Sequence, residues 1–501
     1  MDQTHVHTFV IGAGFAGLCM AIKLQEAGEP DFLVAERGSD VGGTWRDNTY
    51  PGAACDVPSQ LYSYSFAPNP VWSRSFSPQP EIQSYIQRVA EESGVLDRFV
   101  FDAAVEDARW DDATATWHVS TRAGDWTADV LVSAAGALSD ARLPDIDGID
   151  SFQGEIFHSS QWRHDYDLTG KRVAVIGTGA SAIQIVPEIA DRVEHLDVYQ
   201  RTAPYVIPRR DREYTRVEKL AFQHLPPVQK AYRTGIYWMR EALVPGFVVN
   251  PAIAAPAKAA GLLNISRGIS DPALREKVKP DFEIGCKRIL ISNDWYPALD
   301  RDDVDLVTDP ISKVTAGAVV TADGTEREID VLIVATGFLA TDLPIARHIH
   351  GKDGVSLADH FAEKGMQAYK GATVTGFPNL FFVVGPNTGL GHSSMVFMIE
   401  SQVAYAVDAV TTMRAAGVAA VEPTPQALTA WNDDLQRRMK RTVWSVGGCS
   451  SWYLDSHGRN VTLWPRTTYK FRQLTARFDT ENYDARPAAT PSTTTEAKVS
   501  A

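Results

Sequence analysis

HTFVIGAGFAG (residues 7–17) is the stretch that decides the fold. A β-prone run, Thr-Phe-Val-Ile, leads into Gly12, Gly14 and Gly17 spaced as G-x-G-x-x-G, and a helix-like segment, LCMAIKLQEAG, carries the chain to Gly28. A strand that turns on such glycines into a helix opens a dinucleotide-binding unit. The first glycine permits the tight turn, and the second lets a pyrophosphate reach N–H groups at the helix N-terminus. The third lets helix pack closely on strand. The next strand, PDFLVAE, ends at Glu36, whose carboxylate is placed to accept hydrogen bonds from ribose hydroxyls.

The same design returns at KRVAVIGTGASA (171–182), where Gly177, Gly179 and Ala182 form G-x-G-x-x-A. Glu36 stands 22 residues beyond Gly14, and Arg201, at the end of HLDVYQR, stands 22 beyond Gly179. The equivalent position has changed from an acid to a base. An acid suits a free ribose diol, and a guanidinium suits a 2′-phosphate. The first site therefore reads as FAD and the second as NADPH, with Thr178, Ser181 and Gln184 as further contacts around the second turn.

A further echo links GDWTADVLVSAAG (124–136) to GTEREIDVLIVATG (324–337), each resembling the late strand that closes one copy. The expected fold is α/β, with two Rossmann-like dinucleotide-binding domains and a helical insertion. The FAD domain takes residues 1–141 and 338–482, and the NADPH domain takes 142–208 and 284–337. Residues 209–283 form helices that could roof a substrate pocket. Residues 483–501, rich in Pro, Thr and Ala, read as a disordered tail.

The chain has 501 residues, 44% apolar and 22% charged, as in ordinary globular proteins, and a net charge of −14. That balance argues against nucleic acid or an anionic membrane as the main partner. Cys19, Cys55, Cys286 and Cys449 are scattered without a CxxC pair. They give no metal-ligand spacing, and a reducing compartment without a disulfide framework is expected. The first strand begins too early for a signal peptide, and 245–263 is broken by three prolines, an Asn and a Lys, so no membrane span is expected. The expected location is cytoplasmic.

A flavin beside a nicotinamide passes electrons to a redox-active disulfide or to oxygen. The disulfide route needs two neighbouring cysteines, and no pair has suitable sequence spacing. A nucleotide-binding sensor without chemistry is the third reading. Oxygen activation leads.

GGTWRDNTYPGAACD (42–56) holds turn residues but also a Trp, a Tyr and a closing carboxylate. It matches the pattern GGxWxxxxYPGxxxD at every specified position. FQGEIFHSSQWR (152–163) fits FxGxxxHxxxW through Phe152, Gly154, His158 and Trp162, just before the second glycine motif, and IVATGF (333–338) fits a second-linker signature. In these motifs the chain resembles the type I Baeyer–Villiger monooxygenase family from its first strand to about residue 480. Arg163 departs from the usual Pro or Asp, and flavin N- and S-oxygenating enzymes share the FxGxxxH core, so they form the alternative class.

The resemblance implies an enzyme that uses NADPH, FAD and O2 to convert ketones to esters or lactones through a C4a-peroxyflavin, with sulfoxidation as a side activity. It implies that Arg288, in IGCKRIL (284–290), stabilises the reacting oxygens, with Asp56 orienting it. Lys287 joins Arg201 and Thr202 around the 2′-phosphate. Gly43, Thr44, Trp45, Asp56 and Tyr62 line FAD, Val105 lies on the adenine-contacting strand, and Trp452 contacts NADP from a mobile loop. His158 holds the domain junction rather than moving protons. If 284–290 is a strand, Lys287 and Arg288 point to opposite faces.

Overall fold

The structure is a computed structural model that describes residues 4–455 and 457–488. The first strand, Thr4–Ile11, lies parallel to Phe32–Ala35 on one side and to Gly124–Ser133 on the other. A central parallel strand is covered on both faces, and Phe9 and Val10 are fully buried. Phe99–Val100 extends the parallel edge, while Thr116–Thr121 and Val105–Asp111 form an antiparallel meander beyond Gly124–Ser133. Leu380–Phe382 returns from the distant part of the chain to pair in parallel with Gly124–Ser133. Helices Phe15–Glu26 and Met395–Ala416 pack together in the same core.

The second sheet is wholly parallel, in the order Val304–Val307, His195–Tyr199, Arg172–Ile176, Val331–Val334, Glu155–His158. The two echoing segments take equivalent places, since Gly124–Ser133 and Val331–Val334 each pair in parallel with the glycine-motif strand of their own sheet. One nucleotide-binding unit is thus inserted within the other. Between 209 and 283 the chain forms helices Arg216–His224, Pro226–Glu241, Val244–Val248, Ala255–Gly268 and Pro272–Lys277. The first of these starts on a capping box between Thr215 and Glu218.

Three expectations are corrected. Tyr483–Pro487, assigned to a disordered tail, is a strand antiparallel to Val418–Pro423. Tyr483 explains it: the ring is buried and its hydroxyl hydrogen-bonds Thr373 and Tyr405, which tethers a segment whose composition looks unstructured. The rest of that tail, from 489, lies outside the described residues. Second, Cys286 and Cys449 form a disulfide across 163 residues, their Cα atoms 6.1 Å apart, while Cys19 and Cys55 are free and buried. Sequence spacing is blind to a pair that only folding brings together. Third, 284–289 is a turn with Gly285 at φ +92°, and the strand there is confined to Leu290–Ile291. Lys287 and Arg288 therefore both follow a turn, and strand alternation does not set them on opposite faces. Among the described residues, no helix is long and apolar enough to cross a membrane.

Candidate active site

The first glycine turn is built for close approach. Gly12 sits at φ +99°, where a Cβ would lie 2.8 Å from the Ala134 carbonyl oxygen, and a Cβ on Gly17 would lie 1.8 Å from that of Gly12. Gly14 caps the helix Phe15–Glu26 and faces Gly43, whose added Cβ would lie 3.1 Å from the Gly14 Cα. The loop 42–56 thus closes over the turn at its glycine pair. Beside it, the buried Glu36 carboxylate accepts from the N–H groups of Ala13 (2.7 Å) and Gly38 (2.8 Å). Arg46 donates to the same carboxylate at 2.8 Å and also pairs with Asp47. Sequence reading missed Arg46, although a lone cation in a loop of turn residues was the available signal. Val105, at the start of its strand, packs on this core just past Ala103, which donates to the Glu36 carbonyl.

Thr44 begins a one-turn helix, Thr44–Asp47, and Trp45 on it donates from Nε1 to the Tyr62 hydroxyl at 2.9 Å. Their rings meet edge to face at 5.6 Å, and Phe15 extends the wall against Tyr62 at 5.3 Å. The aromatic residues of the loop are therefore locked against one another.

The far end of the loop reaches the second unit. Tyr50 donates to Gln184 Oε1 at 3.0 Å, and Gln184 Nε2 donates to the Ala54 carbonyl at 3.0 Å. Gly52 lies so close to the helix Ala182–Ile189 that a Cβ would meet the Gln184 carbonyl oxygen at 2.7 Å. Gln184, expected to contact the second nucleotide, uses its side-chain amide to hold this loop. Its place on the helix facing the loop was not legible from spacing.

Asp56 closes the loop against Arg288. Arg288 Nε and Nη2 donate to Asp56 Oδ2 at 2.8 and 2.5 Å, leaving Nη1 without a hydrogen-bond partner among the described residues. Burial pushes the Asp56 carboxyl up, but the Arg288 charge and hydrogen bonds, with Arg240 behind them, hold it below its ordinary value. Asp56 in turn raises the guanidinium further, so Arg288 stays charged. Arg240 comes from the helix Pro226–Glu241 of the insertion and was not singled out in the sequence. Its neighbour Glu241 fixes that helix to the first unit, bonding His392 at 3.2 Å and the Thr468 N–H at 2.9 Å. Tyr453 lies in the same field, its hydroxyl pushed up to about 12 by burial.

The second glycine turn has an open side. Gly177 sits at φ +116°, where a Cβ would lie 2.5 Å from the Ala335 carbonyl oxygen, whereas a Cβ on Gly179 would meet nothing within 4 Å. Ser181 precedes the helix, and Thr178 Oγ1 donates to the Thr202 carbonyl at 3.3 Å. Arg201 is exposed, and burial followed by the Arg201 charge depresses the Lys287 ammonium. Lys287 lies over the Phe282 ring at 5.1 Å, and neither cation has a carboxylate within 4.0 Å among the described residues. Two neighbouring cations with no ion pair among the described residues and only Asp281 acting from farther off, beside an open glycine turn, fit a phosphate-bearing dinucleotide. Trp452 is 44% exposed and rests on Tyr453.

His158 is buried and bridges the two linkers. Its Nδ1 accepts from the Ser160 N–H at 3.1 Å, so Nε2 carries the proton toward the Gly337 carbonyl at 3.1 Å. Arg163, the motif departure, pairs on the surface with Asp165 and Glu155. Burial depresses the His158 imidazole below its ordinary value. The unfolded chain therefore binds the extra proton, and the stability held in neutral His158 is complete above roughly pH 6.5 and falls as pH drops below it. His158→Gln, which keeps a donor for Gly337, should lose less thermal stability between pH 7.5 and 5.5 than the parent. Differential scanning fluorimetry checks this, and parallel losses would remove His158 from the pH response.

Comparison with known proteins agrees with this geometry. Residues 6–222 match the family model described as flavin-binding monooxygenase-like. A Baeyer–Villiger monooxygenase of Streptomyces coelicolor is 49% identical over 486 residues, 97% of this chain and 93% of that protein. The structure of cyclohexanone monooxygenase from Rhodococcus sp. Phi1 bound to NADP+ superposes with a TM-score of 0.86 at 29% identity, covering 97% of this chain and all of that one. OTEMO in complex with FAD and NADP gives a TM-score of 0.87 at 30% identity with the same coverage. Two interlocked dinucleotide units, a loop that spans them and near full-length likeness lead to one assignment: the chain belongs to the Baeyer–Villiger monooxygenase family.

Proposed function

We propose that the protein is an FAD-containing, NADPH-dependent monooxygenase that inserts one oxygen atom of O2 beside a ketone carbonyl, giving an ester or lactone. The carrying observation is the Asp56–Arg288 pair at the meeting point of both nucleotide units, with one guanidinium nitrogen free. The bound cofactors supply the electrons and the activated oxygen. Gly12, Gly14, Gly17, Glu36, Gly43, Thr44, Trp45 and Tyr62 are the residues that would hold FAD, and Gly177, Thr178, Gly179, Ser181, Arg201, Thr202, Lys287 and Trp452 those that would hold NADPH. Arg288 supplies a permanent positive charge where oxyanion character develops, and Asp56 fixes its orientation. The half-buried Trp45 and Tyr62 and the helical insertion would help exclude water once the cofactors are bound, which would strengthen that charge. NADPH is maintained inside cells, which supports a cytoplasmic location.

The test is direct. The purified yellow protein should consume NADPH faster with ketones, and mass spectrometry should find products heavier by one oxygen that fragment as esters or lactones. Sulfoxides or N-oxides alone would instead favour the related oxygenating class.

A further inference from the structure

We propose that the Cys286–Cys449 disulfide is a reversible thiol clamp that holds the Trp452 loop against the Lys287–Arg288 turn and so sets the grip on the dinucleotide. The inference rests on the NADPH reading of that loop and turn. One sulfur belongs to the turn that carries both cations, and the other to the segment that leads to Trp452.

The clamp is the principal attachment of this loop. Among the described residues, no hydrogen bond joins 448–452 to any residue beyond 454; the contacts there are local, from Leu454 N to Ser451 O and from Tyr453 N to Ser451 Oγ. The last outward bond before it runs from Glu283 N to the Gly447 carbonyl, 2.9 Å. The exposed Gly448, at φ +77°, then carries the chain away from that bond. A segment with no outward hydrogen bonds opens locally at small free-energy cost once its covalent tie is cut.

The two sulfurs differ in access. Cys286 is fully buried in a small satellite core with Phe247, Phe282 and Trp444, whereas Cys449 is only partly buried. An open cavity of about 360 Å³, lined by Phe282, Glu283, Gly447 and Gly448, borders the chain on both sides of the bridge. A dithiol reductant would enter there. Its thiolate attacks Cys449 Sγ and releases the Cys286 thiolate, which takes up a proton. The reductant's second thiol then displaces Cys449 as a thiol, so two electrons and two protons pass from the dithiol to the bridge. Oxidation of both thiols by a disulfide reverses the sequence.

The experiment uses the full-length holoenzyme. Prepared without reductant, it should show two reactive thiols of four after denaturation, with a non-reduced peptide linking Cys286 to Cys449. After dithiothreitol, limited chymotrypsin cleavage after Trp452, within a segment (442–458) that holds no Lys or Arg, should accelerate about tenfold or more, and NADP+ should dissociate several-fold more readily. Cys449→Ser should behave as the reduced protein under all conditions and ignore glutathione disulfide. Four free thiols that glutathione disulfide cannot pair would overturn the proposal, as would equal cleavage rates and equal NADP+ affinity in both states. Failure of either state to bind NADP+ would count against the dinucleotide reading, while the cleavage rates still decide the clamp.

Discussion

Arg288→Ala should abolish ester formation while leaving the protein yellow and reducible by NADPH. The guanidinium is held by two hydrogen bonds to Asp56 and offers its remaining nitrogen to the site. Its charge is fixed at any working pH, because Asp56 raises it above an already high value. Removing a preorganised donor from a developing oxyanion costs about 10²–10³-fold in turnover, and loss of a full charge belongs at or beyond the upper end. Flavin reduction, followed by stopped-flow bleaching, should change far less, since in the proposed site Lys287 and Arg201, not Arg288, would hold the nucleotide. NADPH consumption would then yield hydrogen peroxide in place of ester. Undiminished ester formation would remove Arg288 from the chemistry. Asp56 adds no pH dependence near neutrality: its carboxyl is held below its ordinary value, so its ionised state and the stability it contributes are complete above roughly pH 4 and fade only as pH falls lower.

Arg201→Ala should weaken NADPH binding by about 10- to 100-fold, the range of a charge-assisted pair worth roughly 1.5–3 kcal/mol, and hardly change NADH binding. Arg201 and Lys287 approach each other from separate segments, and the depressed Lys287 ammonium reports that mutual repulsion after burial. Two like charges persist together where a dianionic group relieves them. A 2′-phosphate is what distinguishes NADPH from NADH, so the comparison isolates that contact. Equal losses for both nucleotides would sink the assignment. Fluorescence titration of the oxidised enzyme provides both constants, with Lys287→Ala as the partner variant expected to show the same asymmetry.

Both glycine turns and the nesting of the two sheets were legible in the residues because each depends on local rules, whereas Arg288 entered only through the family resemblance. Glycine at φ +99° or +116° is dictated by a turn that excludes a Cβ, and the turn is fixed by adjacent residues. The acid-to-base change from Glu36 to Arg201 is likewise a property of one strand end. Loop 42–56 is the intermediate case: its pattern announced a site, but not that Gly52 and Tyr50 press it against the helix of the second unit.

What only the tertiary structure decided is everything set by contacts between distant segments. Arg46 on Glu36, Arg240 behind Asp56, and Gln184 turned toward the loop follow from how two sheets and a helical insertion meet. So does the strand Tyr483–Pro487, ordered by the buried Tyr483 despite its composition, and so does the Cys286–Cys449 bridge. Sequence by itself determined the parts whose energies are short-range, namely turns, strand ends and glycine-dependent packing. Burial and the pairing of charges and thiols are collective, since they depend on which surfaces the folded chain brings into contact.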